Sequence, residues 1–369
     1  MAHLRVETLI LPPDGTYPLF ITANKYQWRS ENRPRTKGLG IGRGEYDMNT
    51  DGLTLVMLHS SSFHKETWEA CLETLFSLAD TSGVAVREAW AIECPNHGES
   101  AALNTAFFEV PPYSNHFGCE GYSQAVHRFL TRAPVPFHDR QLVGIGHSLG
   151  ANTILMIQTF RPTFPFSSLI LVEPMVSSIG DMALQPLRDR LVEQARKRRD
   201  KWTSREDARI ALHKKCGGRR WKGVTRGKWD ERVINSFVEH GLVPKASDGS
   251  QNDRKKTDDR NGDMTSFVLA CTKQQEINMY TDDQGSVAPV EVLDQISSKL
   301  PIHLILGELK DYIPAHVHAA LVGPAPGRNF ASISMMPNVG HLVPQEKPDE
   351  LAVAIIKILQ GPGVPQPKL

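Results

Sequence analysis

Apolar runs of strand length alternate with segments of helical periodicity along most of this chain. Residues 53–58 (Leu-Thr-Leu-Val-Met-Leu) read as the first buried strand. Residues 66–78 follow with Trp68, Cys71, Leu72, Leu75 and Phe76 at helical spacing. The pattern then predicts a strand at 84–92, a helix near 121–130, and strands at 141–145 and 168–173, the last stopped by Pro174. From 175 to about 300 no comparable strand is evident, and the segment carries charge-rich helical stretches. Strands resume at 301–307 and 330–336, and a helix at 348–359 closes the pattern. This alternation predicts an α/β fold, a mostly parallel sheet flanked by helices. A large helical insertion separates two core strands and is placed where a lid would lie. The division expected is core at 1–174 and 301–360, insertion at 175–300, and a flexible tail at 361–369. Residues 246–263 hold no apolar side chain larger than alanine and read as a mobile loop.

Composition narrows the class. The chain has 369 residues, room for one large α/β domain with an insertion. Lys and Arg number 42 against 41 Asp and Glu, so no global charge favours nucleic acid or a membrane surface. Five cysteines, odd in number and without CxxC spacing, argue for a reducing compartment rather than disulfides or a zinc site. No signal-peptide pattern opens the sequence, and no apolar run approaches the ~18 residues a membrane span needs. No metal or organic cofactor is expected, and the oligomeric state is left open, a dimer included.

Gly146-His147-Ser148-Leu149-Gly150 carries the chemistry. An apolar strand precedes this G-x-S-x-G run and a helical pattern follows it, the context of a nucleophile elbow. Such a turn strains the serine backbone, exposes its Oγ, and places the next N–H at a helix N-terminus where an oxyanion can rest.

A serine hydroxyl needs a base, and the base needs an orienting group. His341, in the loop after the last expected strand, is the candidate base. His147 belongs to the elbow, and His97 lies in a turn suited to bracing a loop. For the acid two residues fit the chain order Ser…acid…His: Glu173 at the end of one strand and Asp311 after the next. Either could accept the His341 Nδ1–H. The His59-Ser60-Ser61 loop after the first buried strand is placed to supply an oxyanion donor. The N–H groups of Ser61 and Leu149 are the expected pair.

Together the elbow, the His59-Ser60-Ser61 loop, Asn96-His97-Gly98-Glu99-Ser100 and Gly340-His341 resemble the α/β-hydrolase fold. A narrower likeness is to fungal peroxisomal hydrolases: the acyl-CoA hydrolase of mycophenolic acid biosynthesis, toxin-pathway hydrolases and a yeast peroxisomal lipase. It rests on residues 63–68 (Phe-His-Lys-Glu-Thr-Trp), 171–174 (Leu-Val-Glu-Pro), 197–205 and 271–276. The resemblance implies an acid after the strand that follows the elbow, which favours Glu173 over Asp311. Ser60 departs from the glycine usual in the oxyanion loop.

Pro367-Lys368-Leu369 is a variant of the S-K-L peroxisomal address, which makes an import receptor the expected partner and the peroxisome, ahead of the cytoplasm, the expected site. Residues 196–228 are densely basic, with Trp202, Trp221 and Trp229 interleaved. Arg198, Arg199, Arg219 and Arg220 with Trp202 and Trp221 are candidates to hold the phosphates and adenine of coenzyme A. A solvated helix face is the plainer account; nucleic-acid binding is not expected, since no nucleic-acid module accompanies the charges. The expectation is therefore a serine hydrolase acting on an ester or thioester, with an acyl-CoA or secondary-metabolite thioester preferred. A lipase- or lactonase-type carboxylesterase and a non-hydrolytic scaffold are the alternatives.

Overall fold

The computed structural model describes residues 3–29, 52–221, 224–245 and 266–361, apart from the side chains of 219–221 and 224–226. Thirteen strands occur among them. In chain order they are β1 Leu4–Leu11, β2 Ile21–Trp28, β3 Leu53–Leu58, β4 Val86–Ile92, β5 Leu142–His147, β6 Phe166–Val172, β7 Lys201–Trp202, β8 Gly217–Trp221, β9 Val224–Lys228, β10 Leu242–Pro244, β11 Phe267–Leu269, β12 Ile302–Gly307 and β13 Ser332–Met336. Eight build the main sheet in the order β1-β2-β4-β3-β5-β6-β12-β13. From β4 to β13 all neighbours are parallel. Only β1 and β2 run antiparallel to their neighbours.

Side chains alternate across each central strand, so both faces must be covered. Val56 and Leu58 join Leu169, Leu171, Leu304 and Leu306 on one face, under helices Cys119–Arg132, Leu149–Met156 and Ala288–Ile296. Leu55 and Met57 join Ile145, Ile170 and Ile305 on the other, under Glu69–Ser82 and Pro348–Gln360. That continuous apolar character is what made these strands visible in the sequence.

The N-terminal pair was not visible, for a physical reason. Strand β2 turns Thr22 and Asn24 inward, where they meet buried carboxylates: Thr22 Oγ1 donates to Glu93 Oε2 at 2.8 Å and Asn24 Nδ2 to Glu66 Oε1 at 3.0 Å. An inward face of this kind breaks the apolar alternation a strand is recognised by.

Between β6 and β12 the chain leaves the sheet to form a cap. Its helices include Gln185–Lys197, Arg205–Cys216, Glu231–His240 and Lys273–Tyr280. Beside them stand two small sheets, β10-β11-β7 and the β8–β9 hairpin, which an insertion read as helical did not include. Strands of two to five residues are too short for a period to register. The cap has its own apolar centre of Trp202, Leu212, Ile234, Phe237 and Leu269, which Phe63 of the core enters. The last helix of the insertion, Ala288–Ile296, belongs to the core instead: Val290 and Leu293 pack under the main sheet. The expected loop at 246–263 lies outside the described residues, as do Pro367, Lys368 and Leu369.

Candidate active site

Ser148 stands between β5 and the helix Leu149–Met156 with φ 53° and ψ −116°, a conformation L-residues rarely adopt. Two close approaches hold the turn. The Ser148 N–H donates to the Val172 carbonyl at 2.9 Å, and a Cβ on Gly150 would lie 2.2 Å from the Leu58 carbonyl oxygen. Only glycine lets the new helix pass so near β3. As the helix begins at Leu149, the N–H of that residue has no acceptor within the helix.

His341 reaches the serine from the loop after β13. Its Nε2 lies 2.9 Å from Ser148 Oγ and accepts the hydroxyl proton, while its Nδ1–H donates to Glu173 Oε2 at 3.1 Å. Glu173 follows β6 with φ 46°, and its second oxygen accepts the Gly307 N–H at 2.6 Å. Burial by itself would raise the Glu173 pKa; the imidazoles of His318 and His341 outweigh it and hold the group at about 2. His318 Nε2 lies 3.5 Å from the same carboxylate, a neighbour no motif announced.

Asp311, the other candidate acid, has a different place. Its Oδ1 accepts the backbone N–H of His341 at 2.9 Å and of Tyr312 at 2.9 Å. A Cβ at Gly340 would come within 2.2 Å of that carboxylate, so the glycine before the histidine is what admits Asp311 to the loop. Asp311 thus fixes the chain of His341, and Glu173 its ring. The elbow histidine takes part in the same way: His147 Nε2–H donates to the His341 carbonyl at 2.8 Å, and burial pushes the His147 pKa down to about 3.

The loop Ser60-Ser61-Ser62 forms the rim opposite. His59 Nε2 accepts the Cys94 N–H at 3.0 Å, so its Nδ1 carries the proton and donates to the Ser60 carbonyl at 2.8 Å. Burial lowers the His59 pKa to about 4. His97 Nε2 accepts the Ser62 N–H at 2.9 Å, and its Nδ1–H donates to Asn96 Oδ1 at 2.7 Å. Two neutral imidazoles therefore brace the loop from below. Among the described residues Ser62, Ser148, Glu173 and Asn338 are the non-glycine residues with positive φ. Three of them meet here, as expected where backbone strain is stored at a site.

A cleft of about 380 Å³ opens onto Ser148 and His341 between core and cap. Phe63, Leu191, Trp202, Leu212, Trp229, Phe237 and Leu342 make it largely apolar, and Tyr312 stacks on the His341 ring at 5.3 Å. Arg198 and Arg199 also line it, with their guanidinium groups already engaged. Arg198 Nη1 donates to the buried Glu276 at 2.9 Å, and Arg199 pairs with Asp207 beside the Trp202 ring. The side chains of Arg219, Arg220 and Trp221 lie outside the described residues; their backbone forms β8. No cluster of three His, Cys, Asp or Glu suited to a metal occurs among the described residues. Nor is any helix among them long and apolar enough to cross a membrane.

A hydroxyl bonded to a neutral imidazole, with a buried carboxylate behind that ring, can attack an acyl carbon while the ring takes the proton. Parallel sheet, elbow and late histidine together are those of one fold family. The chain belongs to the alpha/beta hydrolase family, whose model matches residues 55–354. It is 30% identical over 126 residues to the peroxisomal membrane protein LPX1 of Saccharomyces cerevisiae, covering 34% of this chain and 31% of that protein. It is 26% identical over 163 residues to the type I acyl-CoA thioesterase mpaH of Penicillium brevicompactum, covering 43% and 35%. These matches thus span about a third of each relative's length. Among solved structures, the peroxisomal alpha-beta-hydrolase Lpx1 of Saccharomyces cerevisiae superposes with a TM-score of 0.65 at 18% identity, over 100% of this chain and 94% of that one. A thioesterase domain from the curacin biosynthetic pathway superposes with a TM-score of 0.59 at 13% identity, over 96% and 99%.

Proposed function

We propose that this chain is a serine hydrolase that cleaves an ester or thioester through an acyl-enzyme. The relay from Ser148 Oγ through His341 to Glu173, at 2.9 and 3.1 Å, carries the reading. The serine oxygen bonds to the acyl carbon as its proton passes to His341 Nε2. The carbonyl oxygen becomes an anion, received by the N–H groups of Ser61 and Leu149. Collapse breaks the bond to the alcohol or thiol, which leaves with the proton from His341. Water then repeats the sequence on the acyl-serine and frees the acid. Glu173 keeps the imidazole in the tautomer that presents a bare Nε2 to the serine.

An acyl-CoA thioester is the preferred substrate, supported by the thioesterase named among the relatives and by the basic cap beside the cleft. A simple carboxylic ester is the second reading, favoured because Arg198 and Arg199 already have carboxylate partners. Peroxisomal residence is proposed on the strength of the peroxisomal relative. A fluorophosphonate probe tests the mechanism: it should label the native chain at Ser148 and leave Ser148→Ala unlabelled. The same variant should lose roughly 10⁴ to 10⁶ in turnover. Labelling at another serine, or turnover retained in Ser148→Ala, removes the mechanism and leaves a binding scaffold.

A further inference from the structure

The rim of the cleft contains a carboxylate that the relay does not use. Glu276 lies on the cap helix Lys273–Tyr280 and is buried. Arg198, just past the end of Gln185–Lys197, holds it with Nη1 at 2.9 Å and Nη2 at 2.8 Å, which ties two cap helices together. The Oε1 that accepts Arg198 Nη1 also reaches the core. Ser62 Oγ donates to Glu276 Oε1, Tyr280 OH donates to it at 3.1 Å, and the two hydroxyls lie 2.8 Å apart. Ser62 is also the residue with φ 71°, adjacent to the Ser61 amide. A serine in the left-handed region stays there only when its surroundings hold it. His97 holds its N–H from the core and Glu276 its hydroxyl from the cap.

We propose that Glu276 is a positioning residue: through Ser62 it sets the Ser61 amide in its oxyanion-binding orientation, so that the site is assembled only with the cap docked. The inference rests on the serine-hydrolase reading and extends it from the core to the cap. Release of Lys273–Tyr280 frees the Ser62 hydroxyl, the backbone relaxes toward negative φ, and the Ser61 N–H turns from the acyl oxygen. Cap opening and loss of oxyanion stabilisation are then one event.

The experiment measures hydrolysis of p-nitrophenyl acetate, with kcat expressed per active site titrated by fluorophosphonate. Glu276→Ala and Ser62→Ala should each lower kcat by about 10- to 100-fold, the lower part of the range for losing an oxyanion donor, with KM within about twofold. The double variant should fall no further than the weaker single variant, because both break one link. Glu276→Gln, which keeps an acceptor for both hydroxyls, should recover most of kcat. Lys273→Ala, on the same helix but bonded to the Arg196 carbonyl, should leave kcat unchanged. If native protein neither hydrolyses nor labels, the serine-hydrolase reading falls. If native protein is active and both single variants match it per active site, or their losses multiply in the double, the positioning role alone falls. Should Glu276→Ala not fold, Ser62→Ala and Glu276→Gln decide the question by the same readout.

Discussion

The sheet core and the surface of the cap hold charge by different means. In the core one set of ionic groups is buried and satisfied by several neighbours. Lys65, 1% exposed, lies 2.9 Å from Glu66, 3.3 Å from Glu93 and 3.0 Å from Glu99. Glu173 is bonded by a histidine and a backbone amide. In the cap several charges are paired at the surface with neighbours one turn away, as in Lys197 with Glu193 and Arg209 with Glu206, and the pair of Arg198 with Glu276 is the buried exception. A buried ion without its partner is expensive, whereas an exposed pair is worth little and is screened by salt. Single atoms should therefore matter in the core and at the buried Arg198–Glu276 pair, and only summed charge on the surface of the cap.

The sharpest test of the core is the acid. Glu173→Gln should lower kcat by about 10³ to 10⁴, since an amide behind His341 favours the wrong tautomer. Asp311→Asn should cost about tenfold or less, because its amide oxygen can still accept the His341 N–H. Steady-state kinetics on one ester compares the two, and equal losses would erase the distinction between holding the ring and holding the chain. Next in size is Lys65→Met, which leaves the buried Glu66 and Glu93 without their ammonium partner; a loss of about 3–5 kcal/mol in denaturant unfolding is expected. A smaller loss would show that these carboxylates can share protons among themselves.

The core also predicts a pH profile. His59 and His147 are held neutral by burial, with pKa values of about 4 and about 3 against an ordinary 6.5. Below pH 6.5 the unfolded chain binds these protons and the folded chain does not, so stability falls as pH falls. The fall continues to the folded values, at about 1.4 kcal/mol per group for each pH unit. Glu173 acts in the same direction, lost as pH drops from 4.5 toward 2. Thermal melts from pH 7 to 4 read this directly, and a flat profile would mean the imidazoles are hydrated.

The smallest effect belongs to the cap. Arg199→Glu should raise KM for an acyl-CoA a few-fold and leave a short uncharged ester unaffected, with added salt mimicking the change. An equal response from both substrates would make the basic run a solvated face. Arg198 is the wrong residue for that test, because its reversal would also break the buried pair with Glu276.

These differences match what could be read without a structure. The elbow was legible because a serine between glycines, at a strand-to-helix junction, has few other uses. His341 was legible by its place in the chain. Position in the chain did not separate Glu173 from Asp311, because both follow parallel strands and differ in which His341 atom they reach; the family resemblance alone favoured Glu173. The bracing role of His97 was legible in its turn, whereas the brace by His59, His318 behind the acid, and the contact of Glu276 with Ser62 join residues up to 214 positions apart and leave no local pattern. Strand β2 hid for a related reason, since its inward Thr22 and Asn24 pair with Glu93 and Glu66 rather than with apolar neighbours.

The cap departs after β6 and returns ahead of the core helix Ala288–Ile296, and the two connections meet there, the Ser177 N–H donating to the Ser286 carbonyl at 2.9 Å. Its two attachment points are thus a few ångströms apart, and closing that gap costs little more for a long insertion than for a short one. Such a joint lets insertions of very different length occupy the same seam while the strands beside it keep their register. Substrate range could therefore diverge by exchange of whole caps at a fixed hinge, with the chemistry inherited unchanged. A newcomer would have to satisfy one demand at the border: an acceptor where Ser62 offers its hydroxyl.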